Sequence, residues 1–331
     1  MMHCLVSPWH DPALNLAAEE FFLRHRRDDL LFLYVNAPSV IIGKHQNVFG
    51  EVSLLRTVRE GVPVVRRLSG GGTVYHDEGN LNFSFILHGE EGKLVDFARH
   101  TALLVAFLRH HGVAAQTDRR HNIVVEGRKV SGHAEHVSRG RVLHHGTLLF
   151  GADLERLHRL LQPPAGVQDR AIASVRSSVT NLRRYLGEGW TMERFVKACT
   201  AYLRETLAPC PLYTMTPGEE RQIRRLADQR YRSWEWNIAY SPPCRILRTC
   251  HHAGQTVQVS LQIEKGLIAG IELKGKEEML PVLESVACAL RGARCRPDEL
   301  RQRLVTLYDN EKLSLFSPDE WLKIVMDDCN G

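Results

Sequence analysis

No stretch of this 331-residue chain stays apolar for the length of a bilayer-crossing helix, so a helical membrane protein is excluded. Cysteine is sparse and scattered: the eight residues, Cys4, Cys199, Cys210, Cys244, Cys250, Cys288, Cys295 and Cys329, form no CxxC pair. That density excludes a disulfide scaffold and reads as reduced, space-filling thiols. Charge is nearly balanced at +5. The short basic clusters at Arg24 to Arg27, Arg119-Arg120 and Arg221 to Arg225 lack interleaved aromatics, so they read as solvated faces and no nucleic-acid partner is expected. Repeats and low-complexity tracts are missing. Met1 to Pro8 show no basic segment followed by an apolar one, which makes the cytoplasm the expected compartment and leaves no membrane partner in view.

What is present is ordinary for a folded chain, with 44% apolar and 24% charged residues, and the length favours two domains over one core. Leu14, Ala17, Ala18, Phe21 and Phe22 recur at helical spacing behind Asp11-Pro12, predicting a helix to about His25. Leu31 to Val35 and Val40 to Ile42 read as a strand pair, broken by Pro38. Leu94 to Leu108 has an amphipathic helical pattern ended by Gly112. Ile123 to Val125 and Leu143 to Phe150 are strand-like, and Met192 to Leu203 has one apolar helical face. Alternation over Val257 to Ile263, a turn at Glu264-Lys265-Gly266 and a return over Leu267 to Leu273 predict a hairpin. Pro242-Pro243 is the expected linker. The reading is therefore α+β, with a mixed-sheet domain over 1–242 and a small α+β domain over 245–331.

Chemistry concentrates in Arg66-Arg67-Leu68-Ser69-Gly70-Gly71-Gly72-Thr73-Val74-Tyr75-His76-Asp77-Glu78-Gly79-Asn80. Adjacent glycines between strands let several backbone amides approach one anion, and the arginines beside them add guanidinium donors. A nucleotide phosphate or an acyl-adenylate suits such a loop.

This string resembles the lipoate-protein ligase signature at every fixed position. The similarity continues at Asn15 to Glu20, Pro38 to Asn47, Gly127 to Ala134, His144 to Leu149, Ser174 to Asn181 and Ser233 to Asn237, in the family's order. The resemblance implies a fold shared with biotin-protein ligases and an enzyme that forms lipoyl-AMP from lipoate or octanoate and ATP with Mg2+. The acyl group then passes to a lysine of apo lipoyl domains of 2-oxoacid dehydrogenases or of the glycine cleavage H protein, releasing AMP and diphosphate overall.

It also implies that Lys129 is catalytic. Arg67, Ser69, Gly70, Gly71, Gly72, Thr73, Val74, Tyr75, His76, Lys129 and His145 are expected to contact ATP or lipoyl-AMP. The alternative is a lipoyl or octanoyl transferase that takes a preformed acyl-adenylate or a carrier-bound acyl group. Two departures stand out. His121-Asn122 replaces the family's usual Asn-Asp, which leaves the metal ligands unassigned with Asn122 as a candidate, and His133 stands where a small residue is usual.

Overall fold

The computed structural model describes residues 1–89, 96–162, 165–311 and 315–326. They form two compact units that interleave along the chain. The first comprises Met1–Lys44, Val65–Leu157 and Val175–Ser233, and the second His45–Val64, His158–Ser174 and Trp234–Gly331. The Pro242-Pro243 segment, expected to link domains, lies inside the second unit.

The first unit is built on a mixed five-stranded sheet ordered β1-β2-β6-β11-β10. Its strands are β1 (Met2–Val6), β2 (Asp29–Val35), β6 (Asn80–His88), β10 (His133–Ser138) and β11 (Arg141–Leu149). β1 runs parallel to β2, and the other pairs are antiparallel. A second sheet orders β4 (Val64–Arg66), β3 (Ser39–Ile42) and β5 (Val74–His76) as β4-β3-β5. The third comprises β7 (Gln116–Thr117), β8 (Ile123–Val125) and β9 (Arg128–Ser131).

The strand pair expected from 31–42 is therefore corrected: β2 and β3 belong to different sheets. Local β-propensity marks a strand but not its partner, which is set by packing on the two faces.

Strand alternation sorts side chains between the faces of the five-stranded sheet. Leu31, Leu33, Phe83 and Phe85 join Leu104, Phe107, Leu108, Phe195 and Leu203 in one apolar core, so the helices Phe97–His110 and Met192–Thr206 cover that face. The opposite face receives the helix Pro12–His25. Its start is fixed as expected: Pro12 occupies the first turn and the Asp11 carboxylate caps the amides of Ala13 and Leu14. Leu94, part of the predicted second helix, lies outside the described residues.

In the second unit β12 (Val167–Gln168), β13 (Cys244–His252), β14 (Gln255–Glu264) and β15 (Leu267–Lys274) form an antiparallel sheet in chain order, which contains the predicted hairpin. Helices Leu280–Leu290, Pro297–Glu311 and Pro318–Met326 follow, and the last two pack on the short helix Leu54–Arg59. Among the described residues six cysteines are free thiols, whereas Cys250 is disulfide-bonded, an outcome that scattered spacing does not signal. Among the described residues no helix is long and apolar enough to cross a membrane.

Candidate active site

The loop between β4 and β5 carries the glycines. Gly71 adopts φ +86°, which calls for glycine, and a Cβ there would press on an Arg67 guanidinium nitrogen at 3.0 Å. Arg67 is buried, and its fork works inward. Nη2 donates to the Gly70 and Gly72 carbonyls at 2.6 and 2.8 Å, Nη1 to the Ile41 carbonyl at 3.2 Å and Nε to Ser69 Oγ at 3.0 Å. Its neighbour Arg66, fully buried, donates to the carbonyls of Gly43 and Lys44. The Arg67 fork thus braces the glycine loop from within, through its carbonyls.

Ser69 begins a buried polar chain. Its Oγ lies 2.6 Å from His145 Nε2, and His145 Nδ1 lies 3.0 Å from both carboxylate oxygens of Glu19. A carboxylate accepts, so the imidazole proton sits on Nδ1 and Ser69 donates to Nε2. Glu19 also accepts from Tyr34 at 2.9 Å and from the Ser84 hydroxyl. Burial, then the Glu19 charge, raises the Tyr34 phenol well above its ordinary pKa.

His76 is held in a similar way. Asn15 donates to Asn36 at 2.8 Å, and Asn36 lies 3.0 Å from His76 Nδ1 through its own amide nitrogen. The proton is thereby directed to Nε2, which is buried and has no partner among the described residues. Burial, with the Arg67 and His145 charges, pushes His76 down to about 3.

Val74 and His76 share one face of β5 and Tyr75, buried, takes the other, while Thr73 is buried at the loop's end. The remainder of the signature is scaffold. Asp77 accepts from the amides of Gly79 and Asp153, and a Cβ at Gly79 would collide with the Gly151 carbonyl at 2.1 Å.

Lys129 lies on β9, where its backbone is pinned from both sides: its amide donates to the Ser178 carbonyl at 2.8 Å and its carbonyl accepts from Thr180 at 3.0 Å. The side chain folds over Gly132, where a Cβ would stand 2.8 Å from Nζ. Burial lowers the ammonium below the ordinary lysine value. The Asp118 carboxylate opposes this, and the Arg120 and Arg67 charges add to it. Gly132, under the ammonium, is two residues from Ala134, whose Cβ lies 3.8 Å from a Cβ placed at Gly71, so the lysine and the glycine loop meet along one stretch of backbone.

Asn122 is tied into a turn, donating through Nδ2 to Asp118 Oδ2 at 2.8 Å and through its amide to Oδ1 at 2.9 Å. The carboxylate that position 122 lacks is therefore present beside the lysine, contributed by Asp118. His133 faces away from His145. It pairs with Gly146 in the β10–β11 register, on the sheet face that holds His144, Phe83 and Phe85.

Sequence reasoning missed three members of the site. Glu19 and Asn15 lie in the similar block 15–20, and only the fold shows that they orient His145 and His76. Asp118 carries no motif, and its role follows from the turn it nucleates.

A mixed sheet covered by helices, with a glycine-rich loop and a half-buried lysine, matches the catalytic fold of the lipoate ligases. The model of the lipoyl protein ligase A/B catalytic domain matches residues 11–204. The lipoate-protein ligase LplJ of Bacillus subtilis is 35% identical over 80% of this chain and 82% of its own. Among solved structures, lipoate-protein ligase A bound with ATP is 28% identical, with a TM-score of 0.60 over 71% of this chain and 97% of that one. A bi-partite lipoate protein ligase of Thermoplasma acidophilum, described together with its E2 lipoyl domain, is 26% identical, with a TM-score of 0.59 over 71% and 95%. The chain belongs to the lipoyl protein ligase A/B family and is an ATP-dependent lipoate-protein ligase.

Proposed function

We propose that the enzyme works in two half-reactions in this one site, and that its acceptors are apo lipoyl domains of 2-oxoacid dehydrogenases or of the glycine cleavage H protein. In the first, a lipoate or octanoate carboxylate oxygen attacks the α-phosphorus of ATP, and the bond to diphosphate breaks. In the second, the amine of the acceptor lysine attacks the acyl carbonyl, and AMP leaves with the bonding electron pair. The first compact unit, which makes up most of residues 1–242, supplies this chemistry, and 245–331 serve as part of an accessory unit. The cytoplasm is the compartment in which both acceptors and ATP would be met.

The observation that carries the reading is Lys129, a half-buried ammonium that makes no ion pair among the described residues and lies in the field of the Arg67 loop. Negative charge grows on phosphoryl oxygens in the first step and on the carbonyl oxygen in the second, and a fixed cation stabilises both transition states more than the ground states. The loop amides of Gly70 to Gly72 and the Nε2–H of His76 are further donors for the adenylate.

Mg2+ takes oxygen ligands and keeps several waters. The Asp118 carboxylate, with Asn122 Oδ1 beside it, offers such oxygens near Lys129, and there the ion would neutralise phosphate charge. A thioester route through the core cysteines is disfavoured by the fold: Cys4 and Cys199 lie in the apolar core, and burial, with the Cys210 charge adding to it, pushes the Cys4 thiol up to about 12.

The test mixes enzyme, lipoate, ATP, Mg2+ and an apo lipoyl domain and reads the acceptor mass. One lipoyl group should be gained only when nucleotide is present. Modification by lipoate without nucleotide would overturn the reading.

A further inference from the structure

We propose that His100, Glu135 and His144, backed by His133, form a binding site for one divalent first-row transition-metal ion, best suited to zinc. It lies on the sheet face opposite the Ser69–His145–Glu19 chain. Alternation makes it a separate place: His144 and His145 are neighbours on β11 and project to opposite sides.

The geometry is that of a ligand set lacking only closure. One donor atom from each of His100, Glu135 and His144 lies within 4.8 Å of the others. Glu135 and His144 are direct partners in the β10–β11 register, and His100 arrives from the helix Phe97–His110. His144 is fully buried and the Glu135 side chain is 4% exposed. The rings of Phe85, Phe97 and Phe83 surround His100, His144 and His133 with centroids at 5.0, 5.5 and 5.3 Å. An apolar wall around three imidazoles and a carboxylate is an unfavourable place for polar groups without partners. Yet His100 Nε2 and Glu135 Oε2 are both buried and unpartnered among the described residues.

The protonation pattern fits a cation. His100 Nδ1 lies 3.0 Å from the Asp96 carbonyl, which fixes the proton on Nδ1 and leaves the Nε2 lone pair free, as the outer hydrogen bonds of metal-bound histidines do. Burial lowers the proton affinity of all three histidines, with His100 pushed down to about 4, so each is a neutral donor near pH 7.

His144 has a way to present a lone pair as well. Its Nδ1 lies 2.7 Å from Glu135 Oε1, its Nε2 lies 3.2 Å from His133 Nδ1, and His133 Nε2 lies 3.0 Å from Ser131 Oγ. When the ion takes the place of the proton between His144 and Glu135, His144 carries its proton on Nε2 and donates to His133. His133 shifts its proton to Nε2 and donates to Ser131. No proton is gained or lost.

Two imidazoles and one carboxylate match zinc and its first-row neighbours rather than Mg2+, which keeps oxygen and water ligands. The bound ion would clamp the helix Phe97–His110 to the hairpin that follows the Lys129 strand.

The experiment uses tag-free, full-length protein stripped with chelator and dialysed. Co2+ is titrated near neutral pH while visible absorption and heat are followed, and Zn2+ is then added. The wild type should bind one Co2+ per chain with an intense d–d band, lose that band to Zn2+, and keep it in millimolar Mg2+. Zn2+ at about a hundredfold excess over its Kd should raise the thermal midpoint by about 4 °C. His100→Gln and Glu135→Gln should each abolish the band, and His158→Gln, at an exposed position, should keep it. Absence of stoichiometric uptake by the wild type, or an unchanged band in the His100→Gln, Glu135→Gln double variant, overturns the site. Should the variants misfold, X-ray absorption of zinc-loaded wild type decides: imidazole ligation supports the proposal, and thiolate or water ligation alone refutes it.

Discussion

Asn15 and Glu19 stand one turn apart on the sheet-facing side of the helix Pro12–His25, and each sets the orientation of a histidine in the site. Asn15 acts on His76 through Asn36, and Glu19 acts on His145 directly. Residues four apart share a helix face, so one element positions both rings. Truncating Glu19→Ala would leave Tyr34, Ser84 and His145 without their common acceptor. Such a loss should destabilise the first unit by on the order of 3 kcal/mol, measured by urea unfolding, and adenylate affinity should fall with it. Unchanged stability would show that water replaces the carboxylate.

Lys129→Met keeps length and bulk while deleting the ammonium. Loss of one oriented charge should cost roughly 3 to 4 kcal/mol, about a hundredfold to a thousandfold, in diphosphate release and in transfer from preformed lipoyl-adenylate alike. Survival of transfer would confine the lysine to the first step. Burial lowers the Lys129 pKa, so in the wild type both rates should also fall as pH rises through a value below that of a free lysine.

Gly132→Ala tests placement rather than charge. The added methyl carbon would sit 2.8 Å from Lys129 Nζ, so the ammonium must swing aside. Both half-reactions should slow at least about tenfold, since small misplacements of catalytic groups are costly, while the circular dichroism spectrum stays unchanged. A parental rate would mean that the lysine reaches its substrate from another rotamer.

Gly71→Val forces a β-branched residue into φ +86° against Arg67. Calorimetry should detect no adenylate binding, while most of the fold persists. Retained tight binding would reduce the loop to a connection.

His76 supplies a pH test. Its folded value of about 3 lies below the ordinary 6.5, so between these values the unfolded chain binds a proton that the folded chain does not. The stability is present above about pH 6.5 and is lost as pH falls, by up to about 1.4 kcal/mol per pH unit for this one proton. His76→Asn should flatten that slope by this amount in urea unfolding between pH 6.5 and 4, and an unaltered slope would place the proton elsewhere.

The sequence by itself determined the catalytic family and most of the secondary elements, and it marked the glycine loop and Lys129 as candidates, because these depend on short-range order. An Asp11-Pro12 start, a 3.6-residue apolar period and a contiguous signature all survive in one dimension. Tertiary structure alone decided which strands pair, as with β2 and β3, and that Arg67 braces its loop from within. It decided that Glu19 and Asp118 supply the carboxylates beside His145 and Lys129, and that His133 turns to a different face from His145. The physical reason is that charge and hydrogen-bond partners act through space. Glu19 and His145 lie far apart in the chain and share one hydrogen bond, and no local pattern of residues encodes that approach.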